Sequence, residues 1–192
     1  SENPIFKNIG LYAQDVSRHE EGAFTGQISS NFLHKIGIKG SIVGHSELRK
    51  NGDSESNVYK KGLKLKDEKL SNILCIGEDL ETLKNLNKKS FLLNQLEAFC
   101  KNGVKPDLLA YEPIWAIGTG VEADSENISS AVSIILDFLN ENKINCPILY
   151  GGSVSTTNIE EIISIPGLEG CLVGNSSLNG EQFAIIASKI KS

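Results

Sequence analysis

The chain has 192 residues, of which 40% are hydrophobic and 22% are charged, and its formal net charge is −5. This composition is typical of a globular domain with a sizeable core, and it excludes the strongly basic surface of most nucleic-acid-binding proteins. No apolar run approaches the roughly 18 residues that span a bilayer, and the N-terminus lacks a signal-peptide pattern. We therefore expect neither nucleic acid nor a membrane among the partners.

The cysteines indicate a reducing compartment. They are widely spaced, none forms a C-x-x-C pair, and each lies in or beside an apolar segment: Cys75, Cys100, Cys146 and Cys171. Cysteines in this pattern are core thiols more often than disulfide partners or metal ligands. We therefore expect a cytoplasmic protein without a metal site.

In chain order, short apolar runs predict six β-strands. These runs are 9–14, 40–43, 72–76, 108–111, 147–150 and 171–173. Their nearly uninterrupted apolar character is typical of parallel strands that are buried on both faces.

Helical patterns lie between the strands. They are predicted from Ser29 to a stop at Gly37, in the polar surface stretch 50–72, over 86–99, after Ser125, and after Thr157. The segment that follows Ser125 has apolar residues three and four positions apart, which makes one buried stripe. Thr157 and Glu160 form a T-x-x-E capping box.

Six βα units in succession predict an α/β fold with a parallel sheet. The segment AQDVSRHEEGAFTG after the first strand is not the G-x-G-x-x-G that a doubly wound sheet usually carries there. Functional residue types instead follow the strand ends, as in a (β/α)8 barrel: Gln14, His45, Glu78, Glu112, Gly151, Gly152, Ser153 and Gly174. Because such a barrel spends about 31 residues on each unit, residues 1–192 predict a single incomplete barrel domain of about six βα units.

The stretch LLAYEPIWAIGTG, residues 108–120, places Glu112 at the exit of a buried strand. A partly desolvated carboxylate binds protons more tightly and can act as a base, whereas the same residue could also form a strand-end ion pair. The following residues favour the base, because Pro113 and Trp115 form a stiff hinge ahead of a small, Gly-rich segment. That composition is typical of a lid over a substrate.

His45 is the second candidate, in the stretch SIVGHSELRK. It follows a strand, and Ser46 and Glu47 resemble the start of a helix, whose positive end favours the neutral imidazole. A neutral imidazole can donate a hydrogen bond to a substrate carbonyl, although a lone histidine is more often a cap or a core residue.

Two glycine–serine turns form the third candidate site. ILYGGSV and CLVGNSSL each combine a strand, a glycine turn and a following helix, so their backbone N–H groups can hold a phosphate. Either turn alone is a weak signal, but two on the final units of a barrel match the usual phosphate position.

These motifs together resemble the triosephosphate isomerase family. AQDVSRHEEGAFTGQIS, GHSE, CIGE, AYEPIWAIGTG, YGGSV and LVGNSSL occur in the family's order and spacing over essentially the whole chain. The resemblance implies a TIM barrel that interconverts dihydroxyacetone phosphate and D-glyceraldehyde 3-phosphate through an enediolate, with no cofactor and no metal. It also implies a cytoplasmic homodimer in the full-length form.

The resemblance also implies a role for each matching residue. Glu112 would be the base that moves a proton between C1 and C2, His45 the neutral electrophile, and Glu47 a supporting carboxylate. The remaining roles are the phosphate site (Gly118, Ser153, Gly174, Asn175), the lid over 113–123 (including Pro113, Ile114, Trp115, Ala116, Ile117, Thr119 and Gly120), and a dimer arm over 20–26 (including Phe24, Thr25 and Gly26).

Three departures from the family pattern bear on activity. The family's Asn-x-Lys motif is absent together with its first two βα units, which amount to about 60 residues. Loss of such a preorganised cation costs several kcal/mol at the transition state, so we expect this chain alone to be inactive or nearly so. Leu48 stands where the family usually has Arg, and Gln27 where it usually has Glu. In the family these two pair across the dimer, so their joint replacement would remove one salt bridge. Asn175 stands where a second glycine is usual.

Two hypotheses therefore stand. The first is an isomerase whose N-terminal quarter is missing from the 192 residues. The second is a catalytically inactive barrel fragment or relic, which would bind phosphorylated ligands or a protein partner. An open six-stranded sheet exposes two edges, and such edges favour pairing or aggregation.

Overall fold

The computed structural model describes residues 9–116 and 124–190. They form one six-stranded sheet, in which every strand is parallel to its neighbours and the spatial order equals the chain order. The strands are Tyr12–Ala13 (β1), Gly40–Val43 (β2), Ser71–Ile76 (β3), Leu108–Tyr111 (β4), Ile148–Tyr150 (β5) and Leu168–Cys171 (β6).

Helices connect successive strands, as parallel pairing requires. They are Ser30–Lys35 (α1), Ser46–Lys50 (α2), Glu55–Asp67 (α3), Leu80–Lys84 (α4), Lys88–Phe99 (α5), Ser125–Glu141 (α6), Ile159–Ile163 (α7) and Gly180–Lys189 (α8). Two 3₁₀ turns, Ile114–Ala116 and Asn175–Leu178, follow β4 and β6. The predicted α/β architecture of about six βα units is thus confirmed.

Two of the predicted strands differ from those observed. The run 9–14 forms only the short β1, and the prediction of a strand over 171–173 is wrong by about three residues. Pairing with β5 sets the register of β6, which begins with Leu168 opposite Ile148. Because β6 has its exposed Glu169 at the edge of the sheet, the apolar run was a poor guide to where the strand lies.

The surface helix predicted in the polar stretch 50–72 is present as α3, which buries Val58 and Leu65 on one face. Two other helix predictions need correction. The helix predicted over 86–99 begins two residues later, since Leu86 has a positive φ of 57°. The Thr157 capping box is wrong: α7 begins after Asn158, and Ser155 accepts hydrogen bonds from the N–H groups of Thr157 and Asn158.

The two faces of the sheet are unequal. Alternate strand residues such as Leu74, Leu109 and Ile148 pack against the helices in the main core. The opposite parity forms a much smaller buried cluster of Ile73, Cys75 and Ala110. The face that carries the smaller cluster corresponds to the inside of a barrel. Residues just beyond the strand ends that continue the same alternation project above this inner face.

The sheet is open within the described residues. Neither β1 nor β6 has a second strand neighbour there, and the two are not paired with each other. Large apolar side chains are exposed beside both edges: Ile9, Leu11, Ile28, Phe32 and Ile36 near β1, and Leu178, Phe183 and Ile185 near β6. None of the helices in the described ranges combines the length and apolar character that crossing a membrane demands.

Candidate active site

A cavity of about 480 Å³ opens at the carboxyl ends of the strands. His45, Glu112, Ser153, Gly174 and Asn175 all line it, so four different strand–helix connections contribute. The structure therefore brings together the predicted base, the predicted electrophile and the two glycine–serine turns at one rim.

β4 delivers Glu112 into this cavity. Ala110 lies on the inner face of the sheet, and Glu112 follows it at the same parity. The backbone of Glu112 continues the sheet by donating to the Ile76 carbonyl at 2.7 Å. Two glycines leave room for it: a Cβ at Gly77 would lie 1.7 Å from the Glu112 carbonyl oxygen, and one at Gly151 would lie 2.9 Å from Glu112 Cγ. Only glycine fits either position.

His45 is the N-cap of α2, and its ring orientation follows from this role. Its Nδ1 accepts a hydrogen bond from the Glu47 N–H at 3.3 Å. A neutral imidazole that accepts at Nδ1 carries its proton on Nε2. Nε2 lies 3.1 Å from Glu112 Oε1, so the N–H-bearing atom lies beside the carboxylate at the cavity.

The carboxylate of Glu112 is almost completely buried, with 2% of the residue exposed. Its Oε2 accepts from the Ser46 N–H at 3.0 Å, whereas Oε1 has no aligned hydrogen-bond donor among the described residues. Burial dominates and raises the pKa of the Glu112 carboxyl above its usual value. Four groups oppose this shift, in decreasing order: His45, the Ser46 N–H, Cys75 and Arg49. A carboxylate with one unsatisfied oxygen and raised proton affinity is suited to accept a proton from a ligand.

The two glycine–serine turns lie side by side. Ser176 Oγ donates to the Val154 carbonyl at 2.6 Å and links one turn to the other. A Cβ at Gly174 would meet no atom within 4 Å, so this backbone faces open space. Within residues 9–116 and 124–190, no lysine or arginine lines the cavity. Backbone N–H groups and neutral side chains such as Ser153 and Asn175 are therefore the anion-binding groups that this part of the chain can offer.

The described part of the predicted lid is anchored to Glu78. Pro113 precedes the 3₁₀ turn Ile114–Ala116, and the Ile114 N–H donates to the Glu78 carbonyl at 3.1 Å. The Glu78 carboxylate accepts from the Trp115 indole at 3.1 Å and from the Tyr111 hydroxyl at 2.9 Å. The rest of the predicted lid, residues 117–123, lies outside the described residues, and with it Ile117, the phosphate residue Gly118, Thr119 and Gly120.

Glu47 and the predicted dimer arm lie at the rim. The Glu47 side chain is 81% exposed, with Oε2 4.0 Å from His45 Nδ1. In the arm, the ring of Phe24 stacks on His19 with centroids 4.1 Å apart. Gln27 is not left without a partner in the chain, because its Oε1 accepts from Ser17 Oγ at 2.7 Å.

Sequence reasoning missed several residues that support the site. Ser46 and Cys75 contact the Glu112 carboxylate. Gln95 Oε1 accepts a hydrogen bond from the Gly77 N–H at 2.9 Å. The Arg49 guanidinium donates hydrogen bonds to two backbone carbonyl groups. Cys75 and Gln95 carried no signal, because each looks like an ordinary strand or helix residue. Of these supporting residues, Arg49 alone gave a possible signal in the sequence, because it lies four residues after His45.

Comparison with known proteins identifies the family of the chain. The family model described as triosephosphate isomerase matches residues 2–190. A triosephosphate isomerase from Ureaplasma parvum serovar 3 is 41% identical over 188 residues, covering 96% of this chain and 78% of the relative. Those of Thermus thermophilus and Corynebacterium diphtheriae are each 39% identical over 186 residues, covering 91% and 92% of this chain and 74% and 72% of the relatives. The chain belongs to the triosephosphate isomerase family.

Proposed function

We propose that the chain carries the catalytic centre of a triosephosphate isomerase, which interconverts dihydroxyacetone phosphate and D-glyceraldehyde 3-phosphate. The observation that carries the proposal is the pair of Glu112 Oε1 and His45 Nε2, 3.1 Å apart at the cavity. Glu112 Oε1 can accept a proton from a carbon atom of the substrate, and His45 Nε2 can donate a hydrogen bond to a substrate oxygen. Family membership supports the same reaction and the same substrate class.

The proposed chemistry is a redox-neutral shift of one hydrogen. Glu112 removes a proton from C1 of the ketose, the C–H electron pair forms the C1–C2 double bond, and the carbonyl π-electrons move to O2. The N–H at Nε2 of His45 stabilises the negative charge that develops on O2. Protonation of C2 by Glu112 and transfer of a proton from O1 to O2 then give the aldose. Ser153, Gly174 and Asn175 would hold the phosphate, together with Gly118.

The described residues supply no cation to the lining of this cavity. Because the described cavity lining contains no lysine or arginine, the phosphate and the enediolate would both rely on neutral donors. Removing one preorganised donor from such a site costs about 10²- to 10³-fold in kcat. We therefore expect the 192 residues alone to have little or no turnover.

The test compares the 192-residue chain with a version extended in front of Ser1 by two βα units that carry Asn-x-Lys. In a coupled assay of glyceraldehyde 3-phosphate formation, the extended enzyme should turn over. Glu112→Gln should lower its kcat by about 10²- to 10⁴-fold, because it removes the base. Glu126→Gln, an exposed glutamate in α6, is the matched control and should leave kcat unchanged.

Two results would reject the proposal. An extended, folded enzyme without isomerase activity would favour the inactive, ligand-binding relic. Equal loss of activity in Glu112→Gln and Glu126→Gln would show that the effect arises from folding and not from the base.

We further propose a homodimer in the cytoplasm. The exposed arm residues Phe24, Thr25 and Gly26 support the dimer, because the His19–Phe24 stack gives the loop a defined shape before any partner binds. All four cysteines are free, which supports a reducing compartment. Sedimentation of the extended enzyme at micromolar concentration tests the dimer, and Phe24→Asp should weaken it.

A further inference from the structure

Arg49 is a partly buried cation that does not line the cavity. Its side chain is 12% exposed, and it extends from the last turn of α2, the helix that His45 caps. An arginine is rarely withdrawn from water unless its N–H donors have hydrogen-bond partners. The partners of this guanidinium therefore indicate which parts of the chain it holds in place.

The guanidinium joins two strands just above the point where their pairing ends. The β2–β3 register runs to Val43 opposite Leu74, and the next carbonyls are those of Gly44 and Cys75. Arg49 Nε donates to the Gly44 carbonyl at 2.5 Å, and Nη2 donates to the Cys75 carbonyl at 3.1 Å. The third nitrogen, Nη1, pairs with the carboxylate of Glu55 at the start of α3.

Both braced carbonyls belong to neighbours of the candidate catalytic pair. Gly44 immediately precedes His45, and its φ of +73° turns the chain into α2. Cys75 is fully buried, and its side chain interacts with the Glu112 carboxylate. The guanidinium therefore connects the loop that carries the imidazole to the strand that contacts the acid.

We propose that Arg49 is a positioning residue for the isomerisation, which fixes His45 Nε2 against Glu112 by bracing the Gly44 and Cys75 carbonyls. This inference rests on the proposed function. Lysine cannot replace it, because an ammonium group lacks the planar fork that reaches both carbonyls and Glu55 at once. Its charge acts on the same acid, since Arg49 lowers the pKa of Glu112 against the larger, raising effect of burial.

Two variants separate the two roles of Arg49, which are to brace the two carbonyls and to act by its charge on Glu112. Arg49→Lys keeps the charge but loses the fork, so kcat of the extended enzyme should fall by about 10- to 100-fold while KM stays within twofold. Arg49→Gln loses both, so the acid limb of the kcat/KM profile should also move to higher pH. Lys50→Gln, on the exposed side of the same helix, is the control and should change neither.

NMR of the 192-residue chain tests the positioning without turnover. The ¹⁵N signals of the His45 ring report the tautomer, and the ¹³C signal of the Glu112 carboxyl reports its titration. Arg49→Lys should mix the two ring tautomers, and Arg49→Gln should shift the Glu112 titration to higher pH. If Arg49→Gln does not fold, Glu55→Gln, which releases one arm of the fork, should produce the tautomer mixing.

Unchanged ring signals and titration in folded Arg49→Lys and Arg49→Gln would overturn the inference, and so would an unchanged kcat and pH profile. Failure of the proposed function looks different, because the parent enzyme would then lack turnover while the Arg49 variants still altered the NMR signals.

Discussion

At the scale of single residues, Glu112 shows a conflict between stability and chemistry. A carboxylate in a nearly closed pocket, with one oxygen that lacks an aligned donor, destabilises the fold whenever it is charged. Functional sites commonly retain such costs. The raised pKa of the Glu112 carboxyl in the folded state expresses this conflict, because folding favours its protonated form.

We predict that Glu112→Gln stabilises the chain at neutral pH and that this gain disappears in acid. The folded pKa lies above the unfolded value, so the burial cost is absent below the unfolded pKa. The cost grows as pH rises through the unfolded pKa, and it is complete above the folded one. Each unit of difference corresponds to about 1.4 kcal/mol of unfolding free energy.

Urea unfolding at pH 4 and pH 7 measures this effect, with Glu126→Gln as the exposed control. A gain for Glu112→Gln that is equal at both pH values would contradict the prediction, because a neutral packing effect does not depend on the ionisation of residue 112.

Some residues of the candidate site could be predicted from the sequence and others could not. Glu112 and His45 were recognisable because each lies within two residues of the end of an apolar run, and parallel strands bring their carboxyl ends together. Cys75 and Gln95 were not recognisable, because their contacts depend on how α5 and two strands pack in three dimensions. A thiol in the sequence CIGE gives no sign that a carboxylate lies beside it.

At the scale of elements, local rules succeeded where one face was buried and failed where capping decided the boundary. The stripe of apolar residues three and four positions apart that was expected after Ser125 is buried in α6: Ile128, Ala131, Val132, Ile135, Phe138 and Leu139. The prediction at α7 failed because Ser155 and Asn158 bond with each other's backbones and displace Thr157 from the cap position. Several side chains near a helix start can cap it, and only the backbone path selects one.

Asp124 is the N-cap of α6, and we predict that Asp124→Ala lowers the free energy of unfolding by about 1 kcal/mol. Its Oδ1 accepts from the Asn127 N–H at 2.7 Å, and this hydrogen bond lowers the pKa of the Asp124 carboxyl. Asp124→Asn retains an acceptor and should keep most of the stability. A loss of equal size in both variants, measured by urea unfolding, would show that charge and not the cap is responsible.

A second prediction at this scale concerns Leu86, between α4 and α5. It has a φ of 57° and is 92% exposed, so its side chain contributes little packing while its backbone is strained. Leu86→Gly should therefore raise the melting temperature, by an amount that corresponds to about 1 kcal/mol. Leu178→Gly, at an exposed site without a positive φ, should not. Stabilisation by both changes would point to the exposed apolar surface as the cause.

At the scale of the whole molecule, the six strands form most of a barrel wall but do not close within the described residues. The small inner cluster of Ile73, Cys75 and Ala110 contrasts with the large outer core, because a barrel interior is packed only when strands surround it. Beside β1, Phe32 in α1 and Ile36 directly after this helix are 51% and 56% exposed. Apolar surface next to an unpaired strand edge favours association with other chains.

The paired substitution Phe32→Lys and Ile36→Lys should therefore have opposite consequences in the two forms of the protein. In the 192-residue chain it should reduce self-association, because charge replaces exposed apolar surface at the edge. In the form extended by two βα units, which should pack against this edge, it should lower the unfolding free energy by about 1–3 kcal/mol. Sedimentation and urea unfolding of both forms measure the contrast, and Leu86→Lys, which is remote from the edge, should affect neither. If the extended form tolerates both lysines without loss of stability, the added units do not close the barrel along α1.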